Sequence, residues 1–274
     1  MRSEATTVIE HKTGWQLIDL KELLDFRDLF LFLVWRDVKV LYAQTILGFL
    51  WAILQPLVQI LLFTIVFGRV AKIPTDGIPY VLFTTVAVVP WTYMSQAMGA
   101  SSHSLLSAMN MLGKVYFPRL IFPIIPVLAK LVDFGISMLV VLVVAIYYKV
   151  APTWNLLLFP FFMVVMMCLS IGVGTWLSAM AIRFRDVKHA LPFAIRMLMY
   201  TAPIVYSASA IPEKYRILYS LNPVVAVIEG FRACLLGTPF PWAYILPGIA
   251  VTAVIAISGA FYFKRMEHIF VDVM

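Results

Sequence analysis

Apolar residues in this chain run in long blocks instead of alternating with polar ones. Six blocks, about 46–68, 78–99, 120–148, 154–182, 190–208 and 243–263, carry almost no charge. A helix rising 1.5 Å per residue needs roughly 20 such residues to cross a hydrocarbon core about 30 Å thick. The pattern predicts an all-α polytopic membrane protein with six transmembrane helices in 46–274, preceded by a cytosolic segment, 1–45. An even number of spans puts both termini on one side. Thirteen of the 21 Lys and Arg fall in 1–45, 100–119, 183–189 and 264–274, against six in 69–77, 149–153 and 209–241. Basic residues accumulate on the cytosolic side, so the expected orientation is N-in, C-in, anchored best by Arg183, Arg185 and Lys188 in one short loop.

Two segments break the rule of span and loop. Residues 20–42 mix Leu20, Leu23, Leu24, Phe30 and Leu33 with Lys21, Glu22, Asp25, Arg27 and Asp28, and hold no uncharged run long enough to cross. They read as an amphipathic helix lying in the cytosolic interface. In 209–241, Asn222 can cap a helix, Pro223 suits its first position and Gly237 can end it. A helix over 223–236 spans about 21 Å, too short to cross and too apolar for water. It reads as a short re-entrant helix on the outer side, before the last span.

Composition removes the soluble classes. Hydrophobic residues make up 62% and charged residues 13%, against about 45–50% and 25% in soluble domains, and the mean hydropathy is +0.94. The net charge of +7 sits mostly between apolar blocks, which points to anionic lipid headgroups and loop placement, not nucleic acid. Cys168 and Cys234 have no metal spacing, and His11, His103, His189 and His268 lie far apart. Gly113-Lys114 lacks the rest of a phosphate-binding loop, so no ATP site is expected in this chain. Asp133 is the one acid deep in an apolar block, which gives catalysis little support. The first apolar run, Leu29–Trp35, lacks a small-residue cleavage site, so the amino terminus is expected to be mature and cytosolic.

Polar residues within the blocks form stripes. Trp51, Gln55 and Gln59 recur every four residues with Gly48 one turn earlier. Amides and indole faces on one wall suit passage of a sugar chain, and equally suit interhelical bonding. Arg196, Tyr200, Pro203 and Ser207 make a second stripe, with Arg196 facing a cavity or snorkelling and Pro203 able to kink the helix. Lys130 and Asp133, three apart, can pair on one face, as can Glu229 and Arg232, either as a structural bridge or near an exit. Ser170, Gly174 and Ser178, and Gly248, Thr252, Ala256 and Ala260, let helix backbones approach closely.

A family resemblance rests on five runs in order across about 29–237. They are Trp35-Arg36-Asp37-Val38-Lys39-Val40-Leu41-Tyr42-Ala43-Gln44-Thr45 with Leu47-Gly48 and Trp51; Lys114-Val115-Tyr116-Phe117-Pro118-Arg119; Leu131-Val132-Asp133-Phe134; Arg183-Phe184-Arg185-Asp186-Val187; and Asn222-Pro223 with Ile228-Glu229-Gly230-Phe231-Arg232. Together they resemble type-2 ABC exporter permeases of the polysaccharide group, above all those that export lipid-linked O-antigen. The resemblance implies a homodimer in the bacterial inner membrane and two copies of a separate P-loop ATPase that binds ATP and Mg. It implies a gate at the amphipathic helix, with Trp35, Arg36, Lys39 and Tyr42 near the lipid headgroup. A coupling helix is implied over about 101–117, offering Ser102, His103, Leu105, Leu106 and Asn110 to the ATPase. Spans one and five would line the conduit. Leu41 stands where many relatives carry a basic residue, and Arg196 where they often carry glutamine.

Overall fold

The computed structural model describes residues 25–43, 45–112, 118–184 and 186–267. The tail before residue 25, the end of the expected coupling segment (113–117) and Arg185 lie outside the described residues. Every regular element among the described residues is helical. In chain order these are α1 (Arg27–Tyr42), α2 (Leu50–Phe63) prolonged by a π-helical stretch (Thr64–Val70), α3 (Tyr80–Leu112) and α4 (Ile121–Tyr147). A 3-10 turn (Trp154–Leu158) leads into α5 (Phe159–Arg183), followed by α6 (Val187–Thr201), α7 (Arg216–Ser220), α8 (Pro223–Leu236) and α9 (Trp242–Met266).

Among the described residues, four stretches are long and apolar enough to cross a membrane: Leu50–Val70, Ile121–Tyr147, Trp154–Arg183 and Trp242–Met266. The pair Glu213–Ser220 and Pro223–Leu236, bent by 99°, makes a fifth if counted as one broken span. Four of the six expected blocks therefore stand close to their predicted limits. The other two differ for physical reasons.

The second block extends far past residue 99, as 33 unbroken helical residues. This helix is the centre of the bundle: Val86, Ala87, Val88, Met94 and Ala97 are fully enclosed. Its neighbours are protein, so it tolerates Thr84, Thr85, Ser101 and Ser102 in buried positions. Thr84, Thr85 and Ser102 return their hydroxyls to its own backbone, and Ser101 donates to the Pro123 carbonyl at 2.6 Å. Over 101–112 the expected coupling segment is helical and continuous with α3.

The fifth block is shorter than expected. Helix α6 has 15 residues and ends at Thr201, with Ala202 in extended conformation. A residue before proline is pushed out of the helical region, and Pro203 supplies that push. Pro203 therefore ends the helix and does not kink it. Pro203 and Ser207 do not continue the Arg196–Tyr200 stripe.

The short helix α8 matches its signals closely. The Asn222 side chain accepts from Val224 N at 3.1 Å, Pro223 takes the first turn, and Gly237 closes it at φ 69, a left-handed position. The interfacial segment forms α1 from residue 27 onward. Its inner side, Leu33 with Phe26, Leu29, Phe30 and Val34, packs with Leu105, Ile121, Phe122 and Phe263. Leu31, Phe32 and Trp35 stay exposed beside Asp28 and Lys39, so the outer face of α1 mixes apolar and charged side chains.

Small residues set the closest approach. A Cβ on Gly172 of α5 would lie 2.7 Å from the Ala256 Cα of α9, and one on Gly259 would lie 2.6 Å from the Gly172 carbonyl. These backbones touch. Gly172→Leu is expected to lose about 1–3 kcal/mol through overpacking, read as a lower thermal midpoint of the detergent-solubilised chain. An unchanged midpoint would show that α5 and α9 separate freely.

Candidate functional site

The amphipathic helix does not end in open space. Gly48, at φ 51, turns the chain between α1 and α2 in a left-handed conformation that glycine adopts without steric cost. Below that turn lies a cavity of about 710 Å³ between the end of α1 and helices α2, α3 and α4. Trp51 and Gln55 of α2 line it, with Thr92, Tyr93 and Gln96 of α3, Lys130, Asp133 and Ser137 of α4, and Tyr42 of α1.

Its polar groups are joined across helices. Gln96 Nε2 donates to Gln55 Oε1 at 2.6 Å. Ser137 Oγ donates to the Ala52 carbonyl at 2.7 Å, binding α4 to α2. Lys130 Nζ donates to Asp133 Oδ2 at 2.7 Å, and Tyr42 Oη donates to Asp133 Oδ1. Burial first, then the Asp133 hydrogen bond and charge, raise the Tyr42 phenol above its ordinary range, which keeps it a donor. The Lys130–Asp133 pair expected from spacing thus gains a third member from α1.

The predicted residues divide between this cavity and other places. Trp51 and Gln55 enter the cavity together. Gln59, on the same face, is instead partly buried against α6, where its Nε2 lies 3.3 Å from Met199 Sδ. On α1, Trp35 is exposed with Lys39 Nζ 3.7 Å from its ring centre, and Arg36 pairs with Asp37 at 2.8 Å. Arg196 and Tyr200 are exposed on α6. Ser207 lies elsewhere, buried and donating to Asp76 alongside Ser209.

Of the residues expected to meet an ATPase, Ser102 and Leu105 are buried inside the subunit. Side chains closed off in this way cannot dock a partner. His103 and Leu106 remain partly exposed, and the Asn110 side chain lies outside the description. Glu229 and Arg232 are ion-paired and buried, with side chains 11% and 5% exposed. Arg232 also donates to the Pro203 carbonyl at 2.6 Å, and its guanidinium sits 3.8 Å from the Phe83 ring centre. The pair is thus a buried bridge that ties α8 to the break after α6.

Sequence reading missed Thr92, Tyr93, Gln96 and Ser137 as wall residues. Thr92 and Gln96 stand four apart, the same spacing that picks out Gln55 and Gln59, and this was the available signal. Among the described residues no cluster of His, Cys, Asp or Glu suits a metal ion.

Comparison with known proteins identifies the family. The family description "ABC-2 type transporter" matches residues 28–236. The chain belongs to the ABC-2 type transporter family. Among its relatives, the O-antigen export system permease protein RfbA of Myxococcus xanthus is 28% identical over 253 residues, covering 90% of this chain and 96% of that protein. The protein of the same name from Klebsiella pneumoniae is 23% identical over 251 residues, with 90% and 95% covered. The polysialic acid transport protein KpsM of Escherichia coli is 23% identical over 208 residues, with 71% and 76% covered. As an ABC-2 membrane permease, the chain belongs with transport subunits and not with enzymes. The family match begins within α1 and ends with α8, so nearly all of α1, the cavity and the buried Glu229–Arg232 bridge fall inside it.

Proposed function

We propose that this chain is the membrane permease subunit of an ATP-driven exporter that moves undecaprenyl-pyrophosphate-linked polysaccharide, O-antigen in the first instance, across the bacterial inner membrane. In this reading α3, and α6 together with the non-helical residues 202–207 that follow it, complete six spans and both termini face the cytosol. Two copies assemble around a shared conduit, and two copies of a separate P-loop ATPase bind ATP and Mg on the cytosolic side. Residues Trp35, Arg36, Lys39 and Tyr42 of α1 meet anionic lipid and the incoming headgroup. The exposed continuation of α3 near His103 and Leu106 offers the contact through which the ATPase acts.

The observation that carries this reading is the polar and aromatic cavity wall, Trp51, Gln55, Thr92 and Gln96, set among otherwise apolar helices. Amides left in hydrocarbon are costly unless they are bonded or meet a polar guest, and a sugar chain is such a guest. A second support is the outward face of α6. Arg196 and Tyr200 lie exposed there beside Phe193 and Met197, and a charged side chain normally faces a cavity or partner instead of lipid. Capsule or teichoic-acid export is the second reading, its capsule form favoured by the polysialic acid relative. An ion-coupled carrier using Lys130–Asp133 is weaker, because Tyr42 already occupies one Asp133 oxygen.

The test is to purify the tagged chain in mild detergent from its native host and identify stoichiometric partners by mass spectrometry. A soluble P-loop ATPase at 1:1 is the expected result. Its absence in several detergents would defeat the exporter reading and bring the carrier forward.

A further inference from the structure

Asp133 stands at the meeting point of the cavity and α1. Its two oxygens are committed to different elements: Oδ2 to Lys130 on its own helix, Oδ1 to Tyr42, the last residue of α1. The rest of the wall is less committed. The Trp51 side of the cavity is open, with that residue 49% exposed. Gln55 and Gln96 bond each other once, so each amide keeps further donor or acceptor capacity. Thr92 Oγ1 is buried and has no hydrogen-bond partner among the described residues. A flat apolar ring face beside spare amides and a carboxylate is complementary to one kind of guest. That guest has a C–H face and a rim of hydroxyls, namely a pyranose. At about 710 Å³ the space lies within the ordinary range for ligand pockets.

We infer that this cavity binds a pyranose unit and that its occupancy is linked, through Asp133, to release of α1. The choice of a sugar rests on the export reading above; the linkage rests on the geometry. A sugar hydroxyl donating to Asp133 Oδ1 takes the place of the Tyr42 hydroxyl. Lys130 holds the other oxygen throughout, so the carboxylate exchanges one donor for another and keeps its charge partner. Such coupling is reciprocal: what weakens Tyr42–Asp133 tightens sugar binding, and an occupied cavity loosens α1. Leu41 and Lys130 also line a second cavity of about 410 Å³ beneath α1, with Arg36, Asp37, His103 and Ser104. Movement of the α1 end therefore alters both spaces together.

Amide hydrogen exchange across 36–43, measured on the full chain in lipid nanodiscs, tests the linkage. Octyl β-D-glucoside below its micelle-forming concentration serves as the pyranose, and tetraethylene glycol monooctyl ether as the same tail without a sugar. Tyr42→Phe is expected to speed exchange about tenfold, the loss of one hydrogen bond to a charged group. The glucoside should speed exchange several-fold in the wild-type chain, add nothing in Tyr42→Phe, and have no effect in the Gln55→Leu/Gln96→Leu double variant. The ether should do nothing. Unchanged exchange in Tyr42→Phe would remove the tether. A glucoside without effect on the wild type, or an ether as effective as the glucoside, would remove the pyranose site. Because no export is measured, these outcomes are independent of whether an ATPase copurifies with the chain.

Discussion

Arg232→Leu is expected to cost about 3–5 kcal/mol of stability, enough to remove most folded subunit from the membrane. The guanidinium is buried, ion-paired to Glu229, bonded to the Pro203 carbonyl and seated over Phe83. Removing it leaves the Glu229 carboxylate buried without its cation and the Pro203 carbonyl without that donor. The Pro203 contact matters beyond energy, because it holds the break that ends α6 against α8. A fluorescent-fusion chromatography profile should show collapse of the monodisperse peak for Arg232→Leu. The neutral double variant Glu229→Gln/Arg232→Met should retain far more, since neither partner is then left charged and alone. Equal behaviour of Arg232→Leu and wild type would refute the structural role.

The second large effect concerns transport. Gln55→Leu/Gln96→Leu replaces both members of a bonded amide pair, a change that is close to neutral for folding because no partner is stranded. The cavity wall, which the proposed function makes part of the conduit, loses two hydrogen-bonding groups, each contributing about 0.5–1.5 kcal/mol. Export of surface polysaccharide is therefore expected to fall by about tenfold or more, at unchanged membrane abundance, as read by immunoblot of surface glycan against the tagged chain. Gln59→Leu should matter less, because that amide faces Met199 on α6 and not the cavity. Full export by the double variant would exclude this wall from the pathway.

Several features were legible in the residue order because local chemistry decides them. Blocks of apolar residues imply helices in lipid whatever their neighbours, and four such blocks fold close to their expected limits. Asn222, Pro223 and Gly237 bound α8 because capping, a fixed φ and a left-handed φ are properties of single residues. Lys130 with Asp133, and Glu229 with Arg232, meet because residues three positions apart on a helix lie on one face.

What the sequence could not decide depends on contacts between distant segments. Residue Tyr42 lies 91 positions from Asp133, and nothing local says that α1 ends at its carboxylate. The stripe through Gln55 and Gln59 is continuous on one helix. Whether each amide meets a cavity or another helix depends on where α3 and α6 pack, and the two separate on that ground. Likewise, α3 runs on as helix through 101–112 and turns Ser102 and Leu105 inward, so those two side chains become core. The sequence by itself determined the all-helical, membrane-borne character of this protein and the chemistry it could bring to a site. Tertiary packing alone decided which of those groups share a cavity, because side chains on different helices acquire a common surface only when the helices meet.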